Sequence, residues 1–288
     1  SKKDIEKYGI VEFNKKAKES VWKYKTEWEE MTKRIGFWLD MSHPYITYEN
    51  KYIESLWAII KKIWDKKLLY LAHRVVPFCT RCGTSLSSHE VAQGYRTVTD
   101  KSVTVKFKIQ NSKFKNIEGS IFILAWTTTP WTLPGNVALA VGKDVDYAVV
   151  EYNGENLILA KDLVEKVFGK DTTHYPLSTN HYKGSDLVGL EYEPLFDIKE
   201  LKSDKSYKIY DADFVSTKEG TGVVHTAVMY GEDDYDLGTK LGLPKFHTVD
   251  EQGKFMNVGS GLDGMYVKDK ETEAKIIGIL KNNGNLLK

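Results

Sequence analysis

The stretch Trp126-Thr127-Thr128-Thr129-Pro130-Trp131-Thr132-Leu133-Pro134-Gly135-Asn136 sets four hydroxyls and two indoles in a segment stiffened by two prolines. Threonine hydroxyls donate and accept hydrogen bonds, and proline removes backbone freedom. A loop of this make-up suits binding of a polar, sugar-like group or the positioning of a water. Taken alone, a polar turn with two core tryptophans is the commoner origin of such a string. A second string follows later: Glu219-Gly220-Thr221-Gly222-Val223-Val224-His225-Thr226-Ala227, then Val228-Met229-Tyr230-Gly231-Glu232-Asp233-Asp234-Tyr235. Gly220 and Gly222 allow a tight turn or a close backbone approach. Val223 and Val224 read as a short buried strand with His225 and Thr226 at its end. Glu232, Asp233 and Asp234 fall at the start of a helix running through Leu237 and Leu241, where acidic residues complement the macrodipole. A lone histidine beside two valines is more often a hydrogen-bonded core residue than a catalyst. No Gly-Lys-Ser/Thr follows the glycines, so this is not a phosphate loop.

The elements that must carry these strings differ along the chain. Residues 1–75 read as a helical connecting segment. Phe13, Ala17, Val21, Tyr24, Trp28, Met31 and Ile35 recur at spacings of three and four, and Gly36 closes the run. After a turn at Pro44, Tyr52, Ile53, Leu56, Trp57, Ile60, Ile63 and Trp64 form a second amphipathic run. These aromatic stripes read as core, or as a surface that docks onto another domain. Residues 76–98 form a connector bearing Cys79 and Cys82, the chain's two cysteines. Cys-x-x-Cys is half of a zinc site, a redox pair or a coincidence. Zinc wants four ligands, and His73 and His89 are poorly spaced to supply them.

From about residue 100 the period becomes two: Val103, Val105, Phe107 and Ile109 alternate with polar residues. Tyr147–Tyr152 and Leu157–Ala160 flank Asn153-Gly154, a strong hairpin signal. Further strands are expected near 121–125, 207–215, 222–226 and 246–250, and a closing helix over Thr272–Lys281. Residues 99–288 are therefore expected to form an α+β unit, a mixed β-barrel with peripheral helices.

Composition narrows the class. Hydrophobic residues make up 41% and charged residues 28%, as in ordinary globular proteins. No apolar run approaches the ~20 residues that span a bilayer. The start, Ser1-Lys2-Lys3-Asp4, has no secretory character, and two cysteines without a disulfide framework fit a reducing cytoplasm. Net charge is +1, so any RNA contact must come from local patches such as Lys61–Lys67 or Lys101–Lys115, although solvated faces are the commoner origin of both.

Taken together, WTTTPWTLPGN at 126–136, GTGVVHTA at 220–227, GEDDY at 231–235 and PFCTRCGTSLSSHEVAQGY at 77–95 resemble the editing regions of class I aminoacyl-tRNA synthetases. Leucyl and valyl members usually continue the threonine loop into Arg-Pro. Thr129-Pro130-Trp131 here resembles the isoleucyl branch. Where that family commonly has Ala-Pro after the His-Thr pair, this chain has Ala227-Val228-Met229-Tyr230.

The resemblance implies hydrolysis of a valine ester on the 3' end of isoleucine tRNA. A pocket separates isoleucine from valine by one methylene, roughly 1–3 kcal/mol, a magnitude known from isoleucyl enzymes themselves and not obtained from this chain. It implies that Asp234, with Asp233 beside it, pairs with the substrate ammonium. Thr127, Thr128 and Thr129 would grip the terminal adenosine and position water. His225 would wall the amino-acid pocket and donate to the ester. Trp126, Thr132, Asn136 and Thr226 would line the substrate's surroundings. Editing itself would need no cofactor. Cys79 and Cys82 would be half a structural zinc site of a full-length parent. ATP and magnesium would belong to a synthetic domain, since the HIGH and KMSKS signatures do not occur in this sequence. The expected setting is cytoplasmic, monomeric and without membrane, with the tRNA and the remainder of the synthetase as partners. Two alternatives stand beside it: a non-catalytic, zinc-organised tRNA-docking insert, and a free-standing deacylase acting in trans.

Overall fold

A computed structural model describes residues 2–110, 114, 117–169 and 177–288. The lysine-rich stretch Lys101–Lys115 therefore lies partly outside the described residues. The chain divides into two compact units, Ser1–Arg74 with Arg81–Gly83, and Val75–Thr80 with Thr84–Lys288.

The first unit carries α1 (Lys2–Tyr8), α2 (Ile10–Lys23), α3 (Lys25–Arg34) and α4 (Asn50–Asp65). The periodic run from Phe13 to Ile35 is not one helix. It breaks at Tyr24, which joins α2 to α3, and Gly36 at φ 76° ends it. The aromatic stripes are not core either: α2, α3 and α4 contain no buried residue, and Trp28 and Trp38 are 71% and 94% exposed. Periodicity marks a face that wants a partner. It does not say that the partner lies in the same unit.

The second unit opens with a small ribbon, β1 (Phe78–Cys79) and β2 (Thr84–Ser85), and α5 (Ser88–Gln93), whose N-terminus Ser87 and Glu90 close as a capping box. The main body holds β3 (Val103–Lys108), β4 (Ile121–Thr127), β5 (Ala138–Val141), β6 (Asp146–Tyr152), β7 (Glu155–Ala160), α6 (Val164–Phe168), β8 (Leu177–Lys183), α7 (Gly184–Leu187), β9 (Lys208–Asp211), β10 (Val223–Thr226), α8 (Glu232–Leu241) and α9 (Lys270–Asn282). Asn153 and Gly154 at φ 53° and 78° turn β6 into β7, both in the left-handed region a two-residue hairpin requires. The region 246–250 is not a strand; Val249 only bridges Phe255.

The expected barrel does not close. Apart from the β1-β2 ribbon, the described strands form two open sheets, ordered β3-β4-β7-β6-β8 and β10-β5-β9. Alternation announces strands but not their pairing across long separations, and closure depends on that pairing. The outer edge of β3 is covered by the end of the chain instead, through Thr104 N–H to Lys288 O at 2.8 Å and Leu287 N–H to Thr104 O at 2.9 Å. In the five-stranded sheet β4, β6 and β7 carry buried side chains on both faces. Val105, Phe107, Ile123, Tyr147 and Ile158 point into the main core, while Phe122, Leu124, Val150, Leu157 and Leu159 form a second cluster on the other side.

Short polar links join the two sheets. The buried Tyr147 hydroxyl donates to Gly222 O at 2.6 Å and accepts from Gly142 N–H at 3.1 Å. Thr221 donates to Leu124 O at 2.7 Å, and its own carbonyl accepts from Ala160 N–H at 2.8 Å. Gly222 is required here: φ is 72°, and a Cβ would meet the Ala160 methyl at 2.3 Å. This seam delivers β4 and β10 side by side, and each ends in one of the two strings picked out from the sequence. Among the described residues no helix is long and apolar enough to cross a membrane.

Candidate functional site

β4 ends at Thr127, and residues Pro130–Gly135 wind into a 3-10 turn with Pro130 fixing its entry. Inside this loop the hydroxyls satisfy one another. Thr127 Oγ1 accepts from Thr129 N–H at 3.0 Å and lies 3.2 Å from Thr129 Oγ1. Thr132 donates through Oγ1 to Thr129 O at 2.9 Å and through its backbone N–H to the same oxygen at 3.0 Å. Asn136, buried at the loop's exit, donates to Ala138 O at 2.9 Å and accepts from the Tyr192 hydroxyl at 2.8 Å. Thr128 takes no part in this network and is exposed. Trp126 is half-buried, its ring beneath Gly220, where a Cβ would approach it to 3.1 Å.

β10 pairs antiparallel with β5, setting His225 opposite Leu139 and Thr226 opposite Ala138. That register aims the buried His225 ring at the loop, with Nε2 2.9 Å from Thr132 Oγ1. The hydroxyl proton of Thr132 already goes to Thr129 O, so Thr132 accepts from Nε2–H. Hydrogen-bond bookkeeping thus fixes the tautomer. Nδ1 is left as a buried lone pair without a partner, a smaller penalty than a buried unpaired N–H. Burial depresses the His225 pKa to about 4, so the ring is neutral at physiological pH. Its one ring proton faces Thr132 rather than an ester oxygen. The Thr226 hydroxyl is also buried without a partner.

The third component is the start of α8. Gly231 is its N-cap, and Asp234 is the third residue of its first turn. Asp234 folds back, and Oδ1 accepts from Ala227 N–H at 3.0 Å. Gly231 makes room for this: a Cβ there would lie 2.0 Å from Asp234 Oδ2. Burial raises the Asp234 carboxyl to about 6, against the lowering effect of the Ala227 and Asp234 backbone N–H groups, and the charge on Asp233 raises it further. Glu232 and Asp233 are exposed. A half-buried carboxylate with incomplete solvation is a site for a cation that brings its own hydrogen bonds.

Val228-Met229-Tyr230 closes the turn between β10 and α8. Val228 is buried with Val137, Ala138 and Leu243. Tyr230 packs over Gly135, where a Cβ would touch its ring at 3.0 Å, and meets Trp131 edge to face at 5.2 Å. Its hydroxyl accepts from Thr248 N–H at 2.6 Å and shares a hydrogen with Thr248 Oγ1 at 2.9 Å. The two strings therefore meet at Trp126–Gly220, at Thr132–His225, and where Tyr230 packs on Trp131 and Gly135. In the sequence Gly231 and Tyr230 stand only inside longer strings with no role attached, and Thr248 carries no signal. The visible signals were a glycine just before an acidic helix start and the Val228–Tyr230 departure itself.

Cys79 is half-buried in β1 and Cys82 is exposed. Among the described residues no group of three or more His, Cys, Asp or Glu side chains is placed to hold a metal ion. A closed zinc site needs four ligands, so these residues do not by themselves fit one.

Comparison with known proteins places the chain in a family. The family described as "tRNA synthetases class I (I, L, M and V)" matches residues 1–239. The isoleucine–tRNA ligase of Clostridium novyi (strain NT) is 50% identical over 287 residues, covering 100% of this chain and 26% of that protein. Isoleucine–tRNA ligase 2 of Bacillus thuringiensis subsp. konkukian is 46% identical over 285 residues, covering 99% of this chain and 26% of that protein. The chain thus spans about a quarter of the length of these relatives. Among solved structures, the editing domain of the P. falciparum cytosolic leucyl-tRNA synthetase with insertions 1 and 3 deleted matches with a TM-score of 0.50 at 11% identity, over 65% of this chain and 98% of that one, a likeness of fold. With the family matched across most of its length, the chain belongs to the class I tRNA synthetases (I, L, M and V).

Proposed function

We propose that this chain is the editing region of an isoleucyl-tRNA synthetase and hydrolyses the ester linking valine to isoleucine tRNA. The observation that carries the reading is the half-buried Asp234 carboxylate, held by Ala227 N–H beside a rigid, hydroxyl-rich loop. The α-ammonium of an aminoacyl ester is a cation of the right size for Asp234, and the pair would draw the carboxyl below its present value of about 6. Exposed Thr128 is the loop hydroxyl available to the terminal ribose or to a water. Neutral His225 supports the pocket wall through Thr132. No Ser-His-Asp or Cys-His nucleophile is assembled from these residues, which favours direct attack by a positioned water. The parent ligase would join isoleucine to tRNA with ATP and magnesium elsewhere in its chain. It would work as a cytoplasmic monomer, with Cys79 and Cys82 supplying two ligands of a structural zinc.

The test is deacylation of isoleucine tRNA charged with valine or with isoleucine, side by side, at saturating protein. Hydrolysis of the valine ester with the isoleucine ester spared is expected. Equal loss of both esters would sink the size-selective reading. Binding of the tRNA without hydrolysis of either would leave the docking insert.

A further inference from the structure

Tyr230 ends the Val228–Tyr230 step at which the chain departs from the pattern it otherwise resembles, and nothing in the proposed chemistry uses its phenol. Its position explains it differently. The segment Ala227–Asp234 is a closed turn: Tyr230 N–H donates to Ala227 O at 2.9 Å, and Ala227 N–H donates to Asp234 Oδ1 at 3.0 Å. The backbone that holds the carboxylate is thus the backbone that carries Tyr230. From that turn the ring reaches Gly135 and Trp131 of the threonine loop, and the hydroxyl is fixed by the fully buried Thr248. Lys268 lies over the other partner of the stack, with Nζ 5.6 Å from the Trp131 ring centroid. Two segments distant in sequence, Trp131–Gly135 and Thr248, thus meet on the Tyr230 side chain.

We propose that Tyr230 is a positioning residue that sets the separation between the threonine loop and the Asp234 carboxylate. Its hydroxyl is engaged twice by Thr248, and no contact with substrate and no proton transfer is assigned to it. Gly135 belongs to the same device, since any side chain there would push the ring, and with it the 227–231 turn, away from the loop. The catalytic consequence rests on the editing reading above; the positional consequence does not.

The test uses the full chain and two substitutions. Tyr230→Leu removes both the ring contact and the Thr248 anchor, and Tyr230→Phe keeps the ring and removes only the anchor. The first readout is the pH titration of the Ala227 amide resonance, which senses the carboxylate it binds. In the unsubstituted chain its midpoint should lie near the Asp234 value of about 6. In Tyr230→Leu, with the turn released and the carboxylate solvated, it should fall by more than one pH unit, while Tyr230→Phe falls by less. The second readout is deacylation of valine-charged isoleucine tRNA well below either variant's melting temperature. Tyr230→Leu should lower kcat about tenfold or more with KM within about twofold, because the groups that contact substrate all remain. An Ala227 midpoint unchanged in a folded Tyr230→Leu protein would overturn the proposal. So would a variant that merely melts earlier with kcat intact. A shifted midpoint in a chain that hydrolyses neither ester would uphold the positioning role and remove the editing reading instead.

Discussion

The two strands that end at the site deliver opposite kinds of polar group. In the threonine loop the hydroxyls of Thr127, Thr129 and Thr132 are tied to one another, to loop backbone or to His225, and the ring they support is neutral. In the turn after β10, Asp234 is drawn out of water with Ala227 N–H to hold it, and its pKa rises to about 6. Loop polar groups that are satisfied in this way stabilise the fold. A carboxylate whose ionisation is disfavoured by burial destabilises it at neutral pH. The difference separates two kinds of polar group: the threonine hydroxyls of the loop are paired, although Trp131 Nε1 beside them is buried without a partner, and the Asp234 carboxylate is left short of solvation. Substitutions on the two sides should therefore move stability in opposite directions while both lower activity.

The largest effect is expected from Asp234→Ala. On the proposed pairing the substrate ammonium would lose a charge-assisted contact, on the order of 1.5–3 kcal/mol, so deacylation should fall about tenfold to a hundredfold. The protein should fold, since the lost contact is to one backbone N–H at the rim of α8. Asp233→Ala should act weakly, because Asp233 is exposed and points away from its neighbour's face. Comparable rates for the two variants would dissolve the distinction between them. Folded Asp234→Ala protein with unchanged rates would remove Asp234 from the site.

On the other side, Thr132→Val keeps the shape of the side chain and deletes the group that accepts from His225. It strands Nε2–H in a buried setting, which costs about 1–3 kcal/mol. A melting temperature several degrees lower is expected by calorimetry, whereas Thr132→Ser should lose little. A thermally neutral Thr132→Val would show that the His225–Thr132 contact does not hold the loop.

How much of this was legible before the structure depends on range. The Asn153-Gly154 hairpin, α4 and α9 are written in local spacing and turn chemistry, and they stand where that chemistry put them. The break at Tyr24 was not visible, because Phe13 to Ile35 keeps a helical period through it. The barrel was over-read, because the pairing of β5 with both β9 and β10 and the capping of β3 by residues 285–288 have no local signature. Within the site, Asp234 was set apart from Asp233 by resemblance alone. Burial now separates them physically, one half-buried against Ala227 and the other in water. Tyr230, Gly231 and Thr248 escaped because their roles are contacts among side chains and a missing Cβ, which composition cannot display.

The smallest and sharpest effect concerns Asp234→Asn. The amide keeps the shape and still accepts from Ala227 N–H through Oδ1, but it cannot ionise. In the native chain Asp234 holds its proton more tightly than an unfolded aspartate, about 6 against 3.8. Between those values the folded state binds more protons than the unfolded state, so stability falls as pH rises through that window and stays lower above it. The asparagine variant escapes that loss. Its stability advantage should be absent at pH 4, grow between pH 4 and 6, and level off above. Two pKa units correspond to about 3 kcal/mol at full burial. With water reaching a half-buried group, about 1 kcal/mol is expected, or roughly 2–4 °C in Tm. His225, whose depressed pKa makes the fold lose stability as pH drops from 6.5 towards 4, titrates in both proteins and cancels in the difference. At pH 7 the variant should therefore melt higher and deacylate more slowly than the unsubstituted chain. Equal melting temperatures across pH 4–8 would mean that Asp234 is fully solvated, and the contrast between loop and carboxylate would go with it.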